Sequence, residues 1–590
     1  MNERIIFTVD ASETASNCFA VSMNIECAGE SFEISFPAWT PGSYVIRDFA
    51  GEIFDLEVTD NSGRKRPFEK IDKSTWLLHA ERPVVKYKVH AHIHSVRNSF
   101  VDDDHLTLNG ASAFPYVRNL ERVRQEVNII PRKGWNSISS GLERSGPWSL
   151  VAPDYDTLID SPIEVGNQRI HKFNVRGKEH ELAIFGNGNI EEKTFVSDLK
   201  KIVAAEVSIM GDMPYERYVF IYHLIPKTGG GLEHLNSTHI VSDPFQFRKR
   251  EDYLQVLSIF SHEFFHLWNV KRLRPKPLGP FDYTKENYTT LLWFSEGITD
   301  YYAMLALRKA GVSNTAEFLK ELTREIETYN LTPGRLHQSA AESSFDTWIK
   351  FYRRTENSVN STISYYNKGL LIGALLDIRI ASLTDGKKRL QDLMRLLYDR
   401  TYRRGSWFEE KDFLEAYMEI SGENPDKVYT RLVKERGDLP LQQYLRLAGL
   451  KLLKEEEKKS CFGIILSRGE PLHVEAVIEG LPAYSSHVFP GDEITALNGI
   501  KMTPDNIRER VAELEEGKNA ELIVFRDGRT RKIDIHPVLR PPKFKIEKIE
   551  KADTAARNVF EVWTYAKWKE KLDLSAIQDP SNYAFRNQLV

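Results

Sequence analysis

Ser261-His262-Glu263-Phe264-Phe265-His266-Leu267-Trp268 carries the spacing H-E-x-x-H, and the way this stretch folds decides how the rest of the chain is read. No Gly or Pro interrupts Arg250 to Arg274, and Leu254, Leu257, Ser261 and Phe264 recur at helical spacing. The segment is therefore predicted to be a helix. On a helix, residues four apart lie one above the other on a single face. His262 and His266 then aim two imidazole nitrogens at one point, where a metal ion fits. Glu263 reaches a water at that same point and is placed to act as a general base. Two histidines on a helix are also common as surface or core residues, so the assignment needs a third ligand and supporting residues in the right order.

The chain of 590 residues is long enough for three or four domains, each with its own core. Its net charge of −4 leaves no basic footprint for nucleic acid. Cys18, Cys27 and Cys461 are too few to imply a disulfide framework, and they form no C-x-x-C pair. Residues 1–10 show no apolar core of a signal peptide. No apolar run approaches the roughly 20 residues of a membrane span. The expectation is a soluble cytoplasmic protein with neither nucleic acid nor membrane as a partner.

Residues 1–170 read as a β-domain. Phe32, Ile34 and Phe36 alternate, as do Val85, Tyr87, Val89, Ala91 and Ile93, with turns such as Thr40-Pro41-Gly42-Ser43 between runs. A sandwich-like arrangement is predicted. His90, His92 and His94 share the other face of the second run. Three rings on one strand face suit a metal, but Lys86 and Lys88 lie beside them and mark a solvated face.

Residues 171–452 form a second block, β-rich at first (Glu181 to Phe185, Tyr218 to Tyr222) and helical from about residue 246. Between the two parts lies Gly229-Gly230-Gly231-Leu232-Glu233-His234. The glycines permit close backbone approach to a ligand, and Glu233 offers a carboxylate beside it. A flexible hairpin loop is the plainer alternative. Further on, the apolar run Thr290 to Leu307 contains Glu296 and, four residues later, Asp300. Carboxylates are seldom buried without partners, and a metal ion with its histidines would supply them. Ser364-Tyr365-Tyr366-Asn367-Lys368-Gly369 opens another apolar helix that runs to Ile380.

Residues 453–540 change character. After the charged linker Lys454 to Lys459 come Phe462-Gly463-Ile464-Ile465-Leu466, the turn Pro490-Gly491-Asp492 and the turn Asn498-Gly499. A helix from about Pro504 to Glu515 and a hairpin at Asp527-Gly528 complete a compact unit of a size to fold alone. The sequence assigns no role to the tail, residues 541–590.

Together H-E-F-F-H and W-F-S-E-G-I-T-D-Y-Y resemble zinc peptidases whose third ligand is a glutamate on the following helix. Between His266 and Glu296 lie 29 residues (296 − 266 − 1), more than in thermolysin or the aminopeptidase N group. With G-G-G-L-E-H, P-G-S-Y-V-I-R-D-F-A at 41–50 and P-G-D-E-I-T-A-L-N-G at 490–499, the chain resembles the glycyl aminopeptidase family of PDZ-containing zinc peptidases. The resemblance implies a multidomain α+β protein with an N-terminal β-domain, a thermolysin-like catalytic domain and a C-terminal PDZ domain. It implies one zinc ion per chain on His262, His266 and Glu296, with Glu263 as base and Asp300 orienting a ligand histidine. Tyr366, in a Y-N-K-G similar to the Y-E-K-G of aminopeptidase N relatives, becomes the oxyanion donor, with Tyr365 as the alternative. The G-G-G-L-E-H stretch resembles their G-x-M-E-N loop, so Gly229, Gly230 and Gly231 would pair with the substrate backbone and Glu233 would hold its free α-ammonium. His234 replaces the Asn of that loop. The implied activity is removal of small N-terminal residues, Gly and Ala, from peptides, with a peptide or C-terminus in the PDZ groove. The competing readings are an endopeptidase with PDZ-recruited substrates, a peptide-binding adaptor on a decayed scaffold, and epoxide hydrolysis on a lipid.

Overall fold

The structure is a computed structural model, which describes residues 3–467, 469–572 and 589–590. The chain divides into two compact units: residues 1–288 with 405–407, and residues 289–404 with 408–590.

The first unit begins with β-structure. Arg4–Asp10 pairs in parallel with Arg124–Ile130 and antiparallel with Cys18–Glu26, which pairs with Val84–His90, all within a seven-stranded sheet. Two four-stranded sheets complete this region. Alternation puts Ile5, Phe7, Val9, Val85, Tyr87 and Val89 into one core with Phe36 and Trp76. The strand ends at His90, and the alternation runs on only through buried Ala91 and exposed His92. Ile93 is exposed, so His94 leaves the face on which His90 and His92 stack. His90 bonds Glu52 at 2.9 Å and stacks on His92, whereas His94 packs edge-on against Phe100.

A five-stranded sheet follows, built from β1 (Arg169–Val175), β2 (Lys178–Phe185), β3 (Arg217–Leu224), β4 (Gly230–Glu233) and β5 (Ser237–Ser242) in the order β1-β2-β3-β5-β4. The inner strands β2, β3 and β5 run parallel. β4 is an edge strand antiparallel to β5, so the three glycines lead into ordered sheet rather than a loose hairpin. Two helices belong to this region, α1 (Glu192–Met210) and α2 (Arg250–Phe265). α2 ends at Phe265, short of the predicted Arg274, and its buried stripe is Val256, Leu257, Phe260, Ser261 and Phe264, with Leu254 only half-buried. Phe260 and Phe264 pack on Tyr222 and Tyr218 of β3 with ring centroids 4.8 Å apart. Emptying the Phe264 site with Ala would cost about 3–5 kcal/mol, so the helix bearing H-E-x-x-H is held rigidly.

The second unit is helical before it turns to β-structure. A π-helical turn, Trp293–Gly297, leads into α3 (Ile298–Lys309), and α4 (Tyr365–Leu383) is buried along most of its length. The turn and α4 meet at glycines: a Cβ on Gly297 would lie 2.4 Å from Gly369 Cα. From Ser460 to Leu539 the chain forms a small β-module around Ile464, Val474, Ile494, Leu522 and Val524. Both of its predicted hairpin turns, Asn498-Gly499 and Asp527-Gly528, have positive φ at each residue, as tight two-residue turns require. Its second helix is Ile507–Ala512, shorter than predicted. The charged linker starts as strand: Leu450–Glu455 pairs with Lys543–Lys548. Beyond it, α5 (Thr554–Thr564) buries Phe560 and Trp563. There the Trp563 indole donates to the Tyr301 hydroxyl, and Arg389 pairs with buried Asp377. Among the described residues no helix is long and apolar enough to cross a membrane.

Candidate active site

Within the first unit, His262 lies in the last turn of α2 and His266 caps its end in helical conformation, with their Nε2 atoms 2.8 Å apart. The Nδ1–H of His266 donates to the Asn269 carbonyl. That bond fixes the tautomer and leaves Nε2 bare. Two imidazole nitrogens meeting at one point, one of them held as an acceptor, suit a zinc ion.

Glu263 is buried and lies under β4. A Cβ on Gly231 would come within 2.2 Å of Glu263 Oε1, so only glycine lets the strand pass this close. Glu233, at the other end of β4, is also buried. Ligand-type atoms of Glu233, Glu263 and His266 all lie within 4.8 Å of one another. Gly42, from the predicted turn at 40–43, has φ +87°, and a Cβ there would lie 2.6 Å from both Glu233 oxygens. The Lys271 ammonium stands 3.8 Å from Glu233 but is committed to Asp160 at 2.7 Å. Burial alone would raise the Asp160 carboxyl; Lys271 and His234 outweigh it and hold Asp160 below its ordinary value. Burial lowers His234, against the opposing pull of Asp160, to which its Nδ1 is bonded. His234 therefore braces the loop from behind.

Beside Glu233 lies a cavity of about 10 Å³, room for one water-sized body, lined in part by Trp39, Gly42, Tyr44, Lys271, Arg274 and Phe281. The β-rich N-terminal region thus forms one wall at the Glu233 carboxylate.

Behind α2, Ser261 donates to Glu206 of α1. Burial pushes the Glu206 carboxyl well above its ordinary value, against the opposing pull of the Ser261 hydrogen bond. Sequence reasoning missed this residue, although a lone acid in the apolar run Ile202 to Ile209 is the same signal that marked Glu296.

The second unit carries the other predicted residues. Glu296 is buried in the π-helical turn, a local geometry frequent at functional sites. Asp300 is half-buried in the first turn of α3. The Tyr366 hydroxyl lies 3.3 Å from that of Tyr352, and burial, with Glu296 nearby, pushes it well above its ordinary value. The buried hydroxyl of Tyr365 accepts from Thr347. Glu325, also missed, bonds the Asn367 amide beside Tyr366, and burial raises its carboxyl to about 7.

Two family models match the sequence: the peptidase M61 N-terminal domain over residues 6–167 and the M61 glycyl aminopeptidase over residues 255–372. No curated protein matches it. Among solved structures, an aminopeptidase N family protein from Idiomarina loihiensis is similar at 26% identity and a TM-score of 0.89, over 95% of this chain and 100% of that one. An M1 zinc metallopeptidase from Deinococcus radiodurans is similar at 11% identity and a TM-score of 0.47, over 75% of this chain and 95% of its own.

Proposed function

We propose that this metallo-aminopeptidase, which matches the M61 glycyl aminopeptidase family models over residues 6–167 and 255–372, removes small N-terminal residues, Gly and Ala, from peptides with one zinc ion held by His262, His266 and Glu296. Bound there, zinc supplies a Lewis acid that polarises the scissile carbonyl and lowers the pKa of water to about 7. Glu263 takes the proton of the attacking water and returns it to the leaving amine. Its burial under Gly231 favours this role by holding the carboxylate in one orientation. Tyr366 donates to the developing oxyanion; its raised pKa keeps the proton on the hydroxyl. With His266 already held by the Asn269 carbonyl, His262 is the ring left for Asp300 to orient.

The observation that carries the exopeptidase reading is the grouping of Glu233 with Glu263 and His266. A buried carboxylate next to the general base is costly unless a cation joins it. A free α-ammonium is such a cation, and an internal peptide bond is not. Gly229, Gly230 and Gly231 lie in or beside an open sheet edge, to which an extended peptide adds as a strand. We also read residues 460–539 as a PDZ domain, because the backbone N–H groups of Phe462, Gly463 and Ile464 converge on one oxygen. The absence of any disulfide among Cys18, Cys27 and Cys461 agrees with a cytoplasmic location.

Hydrolysis of an alanyl chromogenic amide beside its N-acetylated twin tests the proposal, with zinc content measured on each protein. Wild type should cleave only the free amine. Glu263→Gln should keep its zinc and lose roughly 100-fold or more in kcat. Equal cleavage of both substrates would make the protein an endopeptidase. No cleavage by zinc-loaded protein would favour an adaptor.

A further inference from the structure

The groove of the β-module already holds a peptide, and the peptide is this chain's own Leu589–Val590. The backbone N–H groups of Phe462, Gly463 and Ile464 all donate to the Val590 oxygen, at 3.1, 2.8 and 2.9 Å. The Val590 N–H returns to the Ile464 carbonyl at 2.8 Å. Leu589 makes an antiparallel bridge to Ile465, and Arg540 donates to the Leu589 carbonyl at 3.2 Å. This is strand addition with an oxygen seated in a nest of amides.

The side chains fit as well as the backbone. Val590 is fully buried and belongs to the module's core with Phe462, Ile464, Ala483 and Val488. Leu589 is 2% exposed and belongs to a second cluster with Ile465, Ala476 and Ile478, against which Leu481 and Val359 pack. The nest depends on Gly463, whose φ is +83° and whose Cβ would come within 2.3 Å of Leu481. Two apolar side chains are thus fully withdrawn from water, in addition to the backbone bonds.

We propose that Leu589–Val590 closes this groove in cis, so that extended peptides carrying an aliphatic pair of the Leu–Val type bind only by displacing it. The inference rests on reading the module as PDZ-like and is independent of the zinc chemistry. A tethered segment acts at an effective concentration on the order of 1 mM. Against a groove of ~10–100 µM intrinsic affinity, that weakens an incoming peptide by about 10–100-fold.

The test uses the full chain and a fluorescent peptide with the sequence Phe-Arg-Asn-Gln-Leu-Val, read by anisotropy. Val590→Asp puts a charge into the apolar pocket and should bind the peptide at least 10-fold more tightly than wild type. Hydrogen exchange supplies the second readout: the amides of Phe462, Gly463 and Ile464 should be protected in wild type and exposed in Val590→Asp, while Leu522 and Val524 stay protected in both. Equal peptide affinity with equal protection would overturn the inference. Protection lost without any peptide uptake would overturn the peptide-groove reading of the module instead. Alanyl-amide hydrolysis should be the same in both proteins, so neither failure bears on the aminopeptidase reading.

Discussion

The carboxylates of Glu233 and Glu263 are both buried, approach within 4.8 Å of each other, and each rests where a glycine lacks a side chain, Gly42 for the first and Gly231 for the second. Like charges this close in a partly dry site repel. The Lys271 ammonium stands 3.8 Å from Glu233 and 2.7 Å from Asp160, so one cation faces both carboxylates. The two glycines are the means of placing the pair of Glu233 and Glu263.

Gly231→Ala should act on the base. A methyl 2.2 Å from Glu263 Oε1 must displace the carboxylate or the strand. We expect kcat to fall by roughly 100-fold with zinc content unchanged, which steady-state kinetics and metal analysis on the same sample will check.

Gly42→Ala should act on amine binding. Both the positive φ and the 2.6 Å approach to Glu233 oppose a side chain, so stability should drop by about 1–3 kcal/mol. KM for an alanyl amide should rise more than kcat falls, whereas a mainly structural effect would lower active-enzyme concentration and leave KM alone.

His262→Ala and His266→Ala should each abolish zinc retention through gel filtration, and wild type treated with chelator should match them in activity and in melting temperature. Added zinc should restore treated wild type and neither variant. Retention of one zinc per chain by either variant would remove that histidine from the ligand set.

His180 governs an acid limb of stability. It is buried, bonds the Tyr215 hydroxyl at 2.8 Å and stacks on Phe173; burial lowers it to about 4. The unfolded chain takes up that proton near pH 6.5 and the folded one only near 4, so the contribution is complete above 6.5 and is lost as pH falls toward 4. The melting-temperature gap between wild type and His180→Gln should therefore narrow between pH 6.5 and 4 and stay constant from pH 7 to 8.

Much of this was legible in the sequence, because local pattern and local geometry coincide at the decisive places. H-E-x-x-H needs only a helix, and α2 supplies it; Asn498-Gly499 and Asp527-Gly528 need only a tight turn. What stayed hidden depends on partners distant in sequence. The neighbour that makes Gly42 indispensable is Glu233, and nothing local to residues 40–43 announces it. The run of His90, His92 and His94 looked like one face because alternation was extended past the strand's end at His90. Lys454 to Lys459 read as linker on charge alone, although Lys454 and Glu455 pair with Phe544 and Lys543 nearly a hundred residues later. Leu589 and Val590 carry no motif; only the groove gives them meaning.

The most direct test of the central claim, that Glu233 selects a free amine beside the base Glu263, is the ratio of kcat/KM for an alanyl amide to that for its N-acetylated twin, in wild type and in Glu233→Gln. Losing a charge-assisted contact costs about 1.5–3 kcal/mol, so the account predicts a ratio at least ten times smaller in the variant, brought about by a slower reaction of the free amine. An unchanged ratio in a folded, zinc-loaded variant would contradict it.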